Sequence, residues 1–188
     1  VPVACEIVLA LQAMVTRRFD AAEAVVVTVT QMDAGSAHNI IPDRAQLKGT
    51  IRTLSAGNRG AVAQAIRQVA ENIAAAHDCA AEVTITEGFP PTVNDTRAVA
   101  LAEAVATALP DGAFMHMPAP IMGAEDFSYV IAKVPGMMAF LGVAEAGADW
   151  RHCCAIHSNK MLVDETVLPR GAAFLAGCAT RFLERGWE

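Results

Sequence analysis

The sequence predicts an α+β region in the first half of the chain and an α/β arrangement in the second half. Three observations support this. The first 87 residues change periodicity in the order helix, strand, strand, helix, strand. Two adjacent prolines, Pro90 and Pro91, then interrupt the pattern, and helix alternates with strand after them. Hydrophobic types make up 54% of the 188 residues, which is enough for a packed core.

The elements of the first half follow from residue spacing. Apolar residues recur every three or four positions over 3–18 and 57–77, which predicts two amphipathic helices. Apolar and polar residues alternate over 24–30, 45–54 and 81–87, which predicts three strands. Two helices on an antiparallel sheet in this order match a ferredoxin-like βαββαβ unit whose first strand is missing. We therefore expect strand edges without a partner.

The second half is predicted to begin after a connector. The two prolines favour an extended chain over 88–94, between a region 1–87 and a region 95–188. A helix is expected from Asn94 or Asp95 to Leu109, because either residue can cap it. A short helix near 125–133, a strand over 137–142 and a last helix from about 165 to 184 follow. The inward residues expected on the last helix are Leu168, Ala172, Leu175 and Phe182.

Composition excludes several classes of protein. The net charge of −6 and the 5% of aromatic residues argue against a nucleic-acid partner or an anionic membrane surface. No stretch reaches the ~20 apolar residues needed to span a bilayer. Five scattered cysteines do not suggest a disulfide framework, so we expect a reducing, cytoplasmic compartment. Because the first residue is Val1 rather than Met, the chain is expected to be a fragment, a processed product or a product of an alternative start.

A histidine and cysteine cluster, His152-Cys-Cys-Ala-Ile-His157, contains possible zinc ligands. Adjacent cysteines rarely chelate one ion, and no second pair stands at useful spacing, so a self-contained zinc site is not favoured. His157 alone, in a loop before a helix, fits one ligand of a site assembled from distant segments. The alternative is a solvated loop histidine.

Asn39 and Arg52 could together hold an anionic substrate. Arg52 falls on the polar face of its predicted strand, and its planar fork of donors suits a carboxylate. The alternative is a surface arginine with no partner. The segment Gly123-Ala-Glu-Asp-Phe-Ser128 could be a loop that enters a helix N-terminus. No Ser/His/Asp set and no phosphate-binding glycine-rich loop can be argued from the sequence.

Three stretches resemble one family when they are taken together. They are Ala34 to Asp43 with Leu47 to Thr53, Met122 to Tyr129 with Pro135-Gly136 and Leu141-Gly142, and His157-Ser158 with Asp164-Glu165 and Leu168. In this order they resemble the amidohydrolases of metallopeptidase family 20. That group includes hippurate hydrolase, N-acyl-amino-acid deacylases and indole-acetyl-amino-acid hydrolases. The resemblance covers essentially the whole chain, although Asn159 and Met161 depart from the family pattern.

The resemblance implies a catalytic α/β domain with two divalent metal ions (Zn, Mn, Ni or Co) and an inserted lid that often dimerises. Residues 1–87 would be most of the lid, 88–94 the hinge, and 95–188 the C-terminal part of the catalytic domain. The implied site residues are Asn39 and Arg52 for the substrate carboxylate, Gly123 and Glu125 beside the substrate pocket, and His157 as the last metal ligand. The other metal ligands, the catalytic glutamates and a lid histidine would lie upstream of Val1.

The function implied by the resemblance is metal-dependent hydrolysis of hippurate-like N-acyl amino acids to a carboxylate and an amino acid. A homodimer through the lid is expected, and the 188-residue chain alone is expected to be inactive. Two alternatives remain open. One is an inactive, truncated family member that acts as a dimerisation or regulatory module. The other is a small metal-binding protein that uses His152, Cys153, Cys154 and His157.

Overall fold

The computed structural model describes residues 1–145, 147–149 and 156–187. The chain divides into two compact units. The first contains Val1–Pro91 together with Ile121–Glu125, and the second contains Thr92–Pro120 and the chain from Asp126 onward. The return of a five-residue segment to the first unit is not predicted by the sequence. The assignment of the units to a lid and a catalytic domain stays a prediction.

The first unit contains two helices and a two-stranded sheet. Its elements are α1 (Pro2–Arg18), β1 (Val25–Ala34), β2 (Ala45–Thr53) and α2 (Ala56–Ala76). The strands pair antiparallel, with Val27 opposite Ile51, and an irregularity falls between Val29 and Gln31. The predicted helices and the first two predicted strands of this region are therefore confirmed, although β1 runs four residues further than expected.

The core of the first unit lies between its helices and one face of its sheet. The helical spacing seen in the sequence predicts this burial, because Ile7, Leu11 and Met14 of α1 all point into the cluster. Val25 and Val27 of β1 contribute the sheet side. The buried residues contributed by α2 to the same cluster are Val62, Ala65 and Ala70.

The strand predicted over 81–87 is wrong, because the described chain forms no strand there. The side chains nevertheless alternate as expected, with Ala81, Val83 and Ile85 half-buried and their neighbours exposed. The carbonyl of Val83 accepts a hydrogen bond from the Arg67 side chain of α2. Alternation reports which face is buried, whereas a strand also needs a neighbour for its backbone groups. Only β1 and β2 pair within the described residues.

The second unit is mostly helical in its described part. Its elements are α3 (Thr96–Ala108), α4 (Ser128–Ile131), a 3₁₀ turn (Glu165–Val167) and α5 (Leu168–Arg185). Asp95 caps α3, as the sequence predicts. The strand predicted over 137–142 is wrong, since none is described there. The side chain of Asn94 instead pairs with the backbone of Met138, accepting from its N–H at 2.9 Å and donating to its carbonyl at 3.1 Å.

The inward face predicted for the last helix is also wrong. Leu168, Leu175 and Phe182 of α5 are exposed, and Ala172 is exposed with them. One small residue of α5, Gly177, instead approaches α3. A Cβ added at Gly177 would lie only 2.7 Å from Cγ1 of Val105, so the two helices approach closely at that point. The apolar stripe identified in the sequence therefore lies on the outer side of the helix.

The described cysteines and helices bear on the expected compartment. Cys5, Cys79 and Cys178 are free thiols, and burial raises the pKa of the Cys178 thiol. Among the described residues, no helix is both long enough and apolar enough to traverse a lipid bilayer. The cytoplasmic compartment stays a prediction.

Candidate functional site

Arg52 lies on β2, opposite Val26 of β1, and its guanidinium is exposed. Its Nη1 donates a hydrogen bond of 2.5 Å to the backbone carbonyl of Met122, seventy residues further along the chain. Met122 belongs to the segment Ile121–Glu125 of the same unit. The structure therefore brings Arg52 together with the loop that carries Gly123 and Glu125. Their roles as substrate-binding residues stay predictions.

The loop residues Gly123 and Glu125 differ in exposure. Glu125 is half-buried and takes part in contacts, whereas Gly123 is exposed. A Cβ added at Gly123 would meet only Cγ2 of Ile121, at an ordinary contact distance of 3.7 Å. Gly123 also has no positive φ, unlike Gly35, which turns at φ +81°. Neither packing nor backbone conformation therefore requires glycine at position 123.

Asn39 lies in the connection between β1 and β2, and it is exposed. The backbone turns there, with the N–H of Ile40 donating to the carbonyl of Ala37 at 3.2 Å. Within the described part of the chain, no hydrogen bond joins Asn39 to Arg52. The two residues therefore share one unit, but the structure does not join them as a ready pair.

His157 has an unusual backbone conformation. Its φ is +68°, in the left-handed region that non-glycine residues rarely adopt. A tight turn follows directly, because the N–H of Lys160 donates to Oγ of Ser158 and the N–H of Met161 donates to its carbonyl. Strained conformations of this kind are frequent at functional sites. The role of His157 as a metal ligand stays a prediction.

Asp164, three residues beyond this turn, has a structural role that the sequence analysis missed. Its Oδ1 accepts hydrogen bonds from the N–H and the hydroxyl of Thr166, at 3.0 and 2.5 Å. These bonds hold the pKa of the Asp164 carboxyl below its ordinary value, with a smaller contribution from the charge of Arg170. The N–H of Asp164 also donates to the carbonyl of Val143 at 2.8 Å. The signal was present in the sequence, since Asp before a helix start is a preferred cap.

The described residues do not fit a two-metal centre. Among residues 1–145, 147–149 and 156–187, no group of three or more His, Cys, Asp or Glu side chains could hold an ion. A catalytic zinc site ordinarily takes three protein ligands, whereas His157 is the one ligand predicted among the described residues. His152, Cys153 and Cys154 lie outside the described residues. His77 and His116 form pairs elsewhere, with Glu6 at 2.7 Å and Glu103 at 3.3 Å.

A groove of about 400 Å³ lies between α3 and α5, within the second unit. Val105, Gly177 and Arg181 contribute to its lining. Nε of Arg181 is buried and has no hydrogen-bond partner among the described atoms. The groove includes none of the five predicted site residues, so it does not mark the same site.

Several known proteins are similar in sequence to this chain. A sequence model described as Peptidase family M20/M25/M40 matches residues 6–181. IAA-amino acid hydrolase ILR1-like 2 of Arabidopsis thaliana is 36% identical over 96% of this chain and 41% of its own length. N-acetyl-L-cysteine deacetylase of Bacillus subtilis (strain 168) is 32% identical over 98% of this chain and 42% of its own length. The family resemblance seen in the sequence motifs is confirmed.

A solved structure matches the fold over almost the whole chain. The YXEP protein of Bacillus subtilis, described as a dinuclear metal-binding peptidase from the M20 family, superposes with a TM-score of 0.81. It is 29% identical, and the match covers 98% of this chain and 46% of that protein. The chain therefore spans less than half the length of the relatives that it matches.

Proposed function

Because the chain belongs to peptidase family M20/M25/M40, we propose that it is part of a metal-dependent amidohydrolase. The proposed substrates are hippurate-like N-acyl amino acids, which are split into a carboxylic acid and an amino acid. The hydrogen bond between Arg52 and Met122 carries the proposal, because it brings a cationic fork to the loop of Gly123 and Glu125. The names of the two curated relatives, an IAA-amino acid hydrolase and an N-acetyl-L-cysteine deacetylase, fit this substrate class.

Arg52 is proposed to anchor the free carboxylate of the substrate. A guanidinium has five N–H donors in a planar fork, so the bond to Met122 leaves capacity for a carboxylate. The side-chain amide of Asn39 would add a neutral donor. Gly123 is proposed to let the substrate approach the loop backbone closely, since nothing local requires glycine there. Glu125 would border the same pocket.

His157 is the single metal ligand that we assign to this chain. The complete enzyme is proposed to bind two divalent ions (Zn, Mn, Ni or Co), with its other ligands and its general base in segments outside residues 1–188. Since the described residues do not form a metal centre, we assign this chain substrate binding and orientation rather than a chemical step. The proposed location of the enzyme is the cytoplasm.

The first unit is proposed to be a ferredoxin-like lid through which the enzyme forms a homodimer. The half-buried alternation of Ala81, Val83 and Ile85 supports the lid, because the segment forms no strand in the described structure but has the side-chain pattern of one. We propose that a strand from the complete enzyme pairs with it and completes the sheet. The second unit would then be the C-terminal part of the catalytic domain, and residues 88–94 the hinge.

A chimaeric enzyme tests the proposed function. The region of Bacillus subtilis N-acetyl-L-cysteine deacetylase that matches this chain would be replaced by residues 1–188, and turnover of N-acyl amino acids would be measured with added divalent metals. We expect turnover by the chimaera and none by the 188-residue chain alone. Metal-dependent turnover by the chain alone would contradict the missing-ligand proposal. A folded, metal-loaded chimaera without turnover would favour the dimerisation or regulatory module.

Replacing the proposed carboxylate anchor is the sharper test. In the chimaera, Arg52→Ala should raise KM about tenfold to a hundredfold, because a hydrogen bond to a charged group contributes about 1.5–3 kcal/mol. Metal content should not change. The matched control is Arg44→Ala, whose side chain is exposed in the same unit and lies 3.7 Å from Asp43. An unchanged KM for substrates with a free carboxylate would contradict the assignment.

A further inference from the structure

The loop Ile121–Glu125 is unusual in its packing. It belongs to the first unit, whereas the chain on both sides of it, Thr92–Pro120 and Asp126 onward, belongs to the second. The loop forms no helix or strand of its own. Regular backbone pairing of this loop therefore does not account for its position on the first unit.

One side chain of the first unit reaches this loop with a charged donor. Nη1 of Arg52 donates to the carbonyl of Met122 at 2.5 Å. Charge-assisted hydrogen bonds are stronger than neutral ones. The backbone of Arg52 is fixed by its place in β2, opposite Val26, so the donor starts from a rigid element. Met122 itself is half-buried, whereas Ile121 and Gly123 on either side of it are exposed.

We propose that Arg52 is a positioning residue that holds the loop Ile121–Glu125 against β2. This inference extends the proposed function, and the part that concerns substrate binding rests on that function. One edge of the guanidinium fixes the loop and another receives the substrate carboxylate, because the fork can serve two acceptors in one plane. Binding of the substrate carboxylate and ordering of the loop Ile121–Glu125 are then coupled, so that each makes the other more favourable. Gly123 and Glu125 are held at the pocket through Arg52.

Amide hydrogen exchange of the 188-residue chain tests the tether without any assay of activity. The variants are Arg52→Met, which keeps an apolar stem without a donor, and Arg52→Lys, which keeps a charged donor. In Arg52→Met, the amides of residues 121–125 should exchange roughly tenfold faster, while those of β1 and β2 stay unchanged. Arg52→Lys should keep most of the protection. The control Arg44→Ala should leave the exchange of the loop as it is.

The two proposals fail in different ways. Protection of residues 121–125 that survives in Arg52→Met, with β1 and β2 intact, overturns the tether whatever the enzyme does. Loss of protection in Arg52→Met supports it. In the chimaera, hippurate should slow exchange in the loop with arginine at position 52 but not with lysine, because a single ammonium cannot hold carbonyl and carboxylate in one fork. Equal slowing by hippurate in Arg52→Lys overturns the coupling and leaves the substrate class untouched.

Discussion

The two units of the chain differ in what covers their helices. In the first unit, α1 buries Ile7, Leu11 and Met14 against β1 and α2. In the second unit, no residue of α5 is fully buried, and Leu175 and Leu183 are 69% and 84% exposed. Both helices are long and amphipathic, so sequence pattern alone does not separate them. The difference shows that the first unit contains its own core, whereas the apolar side of α5 is left uncovered.

The contact between α3 and α5 explains part of this difference. Leu101, Ala102 and Val105 of α3 are buried, and α5 approaches Val105 closely at Gly177. Close packing of a glycine contributes contact without burying much area. We therefore expect the second unit to depend more strongly than the first on a covering surface.

Self-association should give the largest effect. Exposed apolar patches of this kind promote association, so the isolated chain should form oligomers or aggregates. The double variant Leu175→Glu and Leu183→Glu should shift it toward monomer, as measured by light scattering at several concentrations. The control changes Leu9 of α1, an exposed leucine of the first unit, to Glu. A monodisperse wild-type monomer that unfolds cooperatively would contradict the conclusion that α5 has an uncovered apolar side.

Truncating one leucine in each unit should give the second-largest effect, which is a difference in the free energy of unfolding that is lost. Leu11 is 6% exposed in the first unit, so Leu11→Ala should lower the free energy of unfolding by about 2–5 kcal/mol. Leu183→Ala should change it by no more than about 0.5 kcal/mol, because the side chain is already in solvent. Urea denaturation followed by circular dichroism measures both. Equal losses would mean that α5 is covered in solution.

Replacing a helical glycine in each unit should change the free energy of unfolding by a smaller amount, and in opposite directions. Nothing lies within 4 Å of a Cβ added at Gly60 of α2, so Gly60→Ala should stabilise the first unit by about 0.5–1 kcal/mol. Gly177→Ala should destabilise the second unit by about 1–3 kcal/mol, since its Cβ would press on Val105. Adding Val105→Ala should recover part of that loss in a double-mutant cycle. Stabilisation by Gly177→Ala alone would disprove the close approach of α3 and α5.

The smallest effect concerns the charged cap of α3. Arg97 donates to both carboxyl oxygens of Asp95, and these hydrogen bonds lower the pKa of Asp95 from its ordinary 3.8 to about 2. A lowered pKa stabilises the folded state above the unfolded value, and this contribution disappears as the pH falls from about 4 to 2. The Tm of Asp95→Asn should therefore lie below that of the wild type at pH 7 and converge with it near pH 2.

The control for this pH experiment is Asp43→Asn. Asp43 lies in the first unit, is exposed, and pairs with Arg44 only at 3.7 Å. Its replacement should change the Tm little at either pH. A Tm difference for Asp95→Asn that does not narrow between pH 4 and pH 2 would show that the cap acts through something other than its charge.

Sequence reasoning succeeded where burial alone decides the structure. The alternation of Val25, Val27 and Val29 predicts β1, and the spacing of Ile7, Leu11 and Met14 predicts α1. It failed for 81–87 and 137–142, because alternation cannot reveal whether a neighbouring strand is present. The prediction of the inward face of α5 failed for a related reason, because an apolar stripe does not show which surface covers it.

The features of the candidate site also divide into those that the sequence predicts and those that only the fold reveals. Arg52 could be selected as a cationic fork on the polar face of a strand. The hydrogen-bond partner of Arg52 could not be predicted, because the acceptor is the backbone carbonyl of Met122 and every residue has such a carbonyl. The left-handed conformation of His157 is equally invisible in the sequence, since no glycine or asparagine marks it. Side-chain chemistry can be read from the sequence, whereas contacts made through the backbone require the fold.

The arginines of α2 have a consequence for misassembly. Arg67 donates to the carbonyl of Val83, and Arg59 donates to that of Gly88 at 2.6 Å. An open strand edge is ordinarily a template for amyloid-like growth, and charged side chains at the edge oppose it. In the segment 81–88, which forms no strand in the described structure, two backbone acceptors are already occupied by guanidinium groups. An unrelated chain would have to displace two cations to use these acceptors, so the two arginines should oppose unspecific strand pairing by this segment.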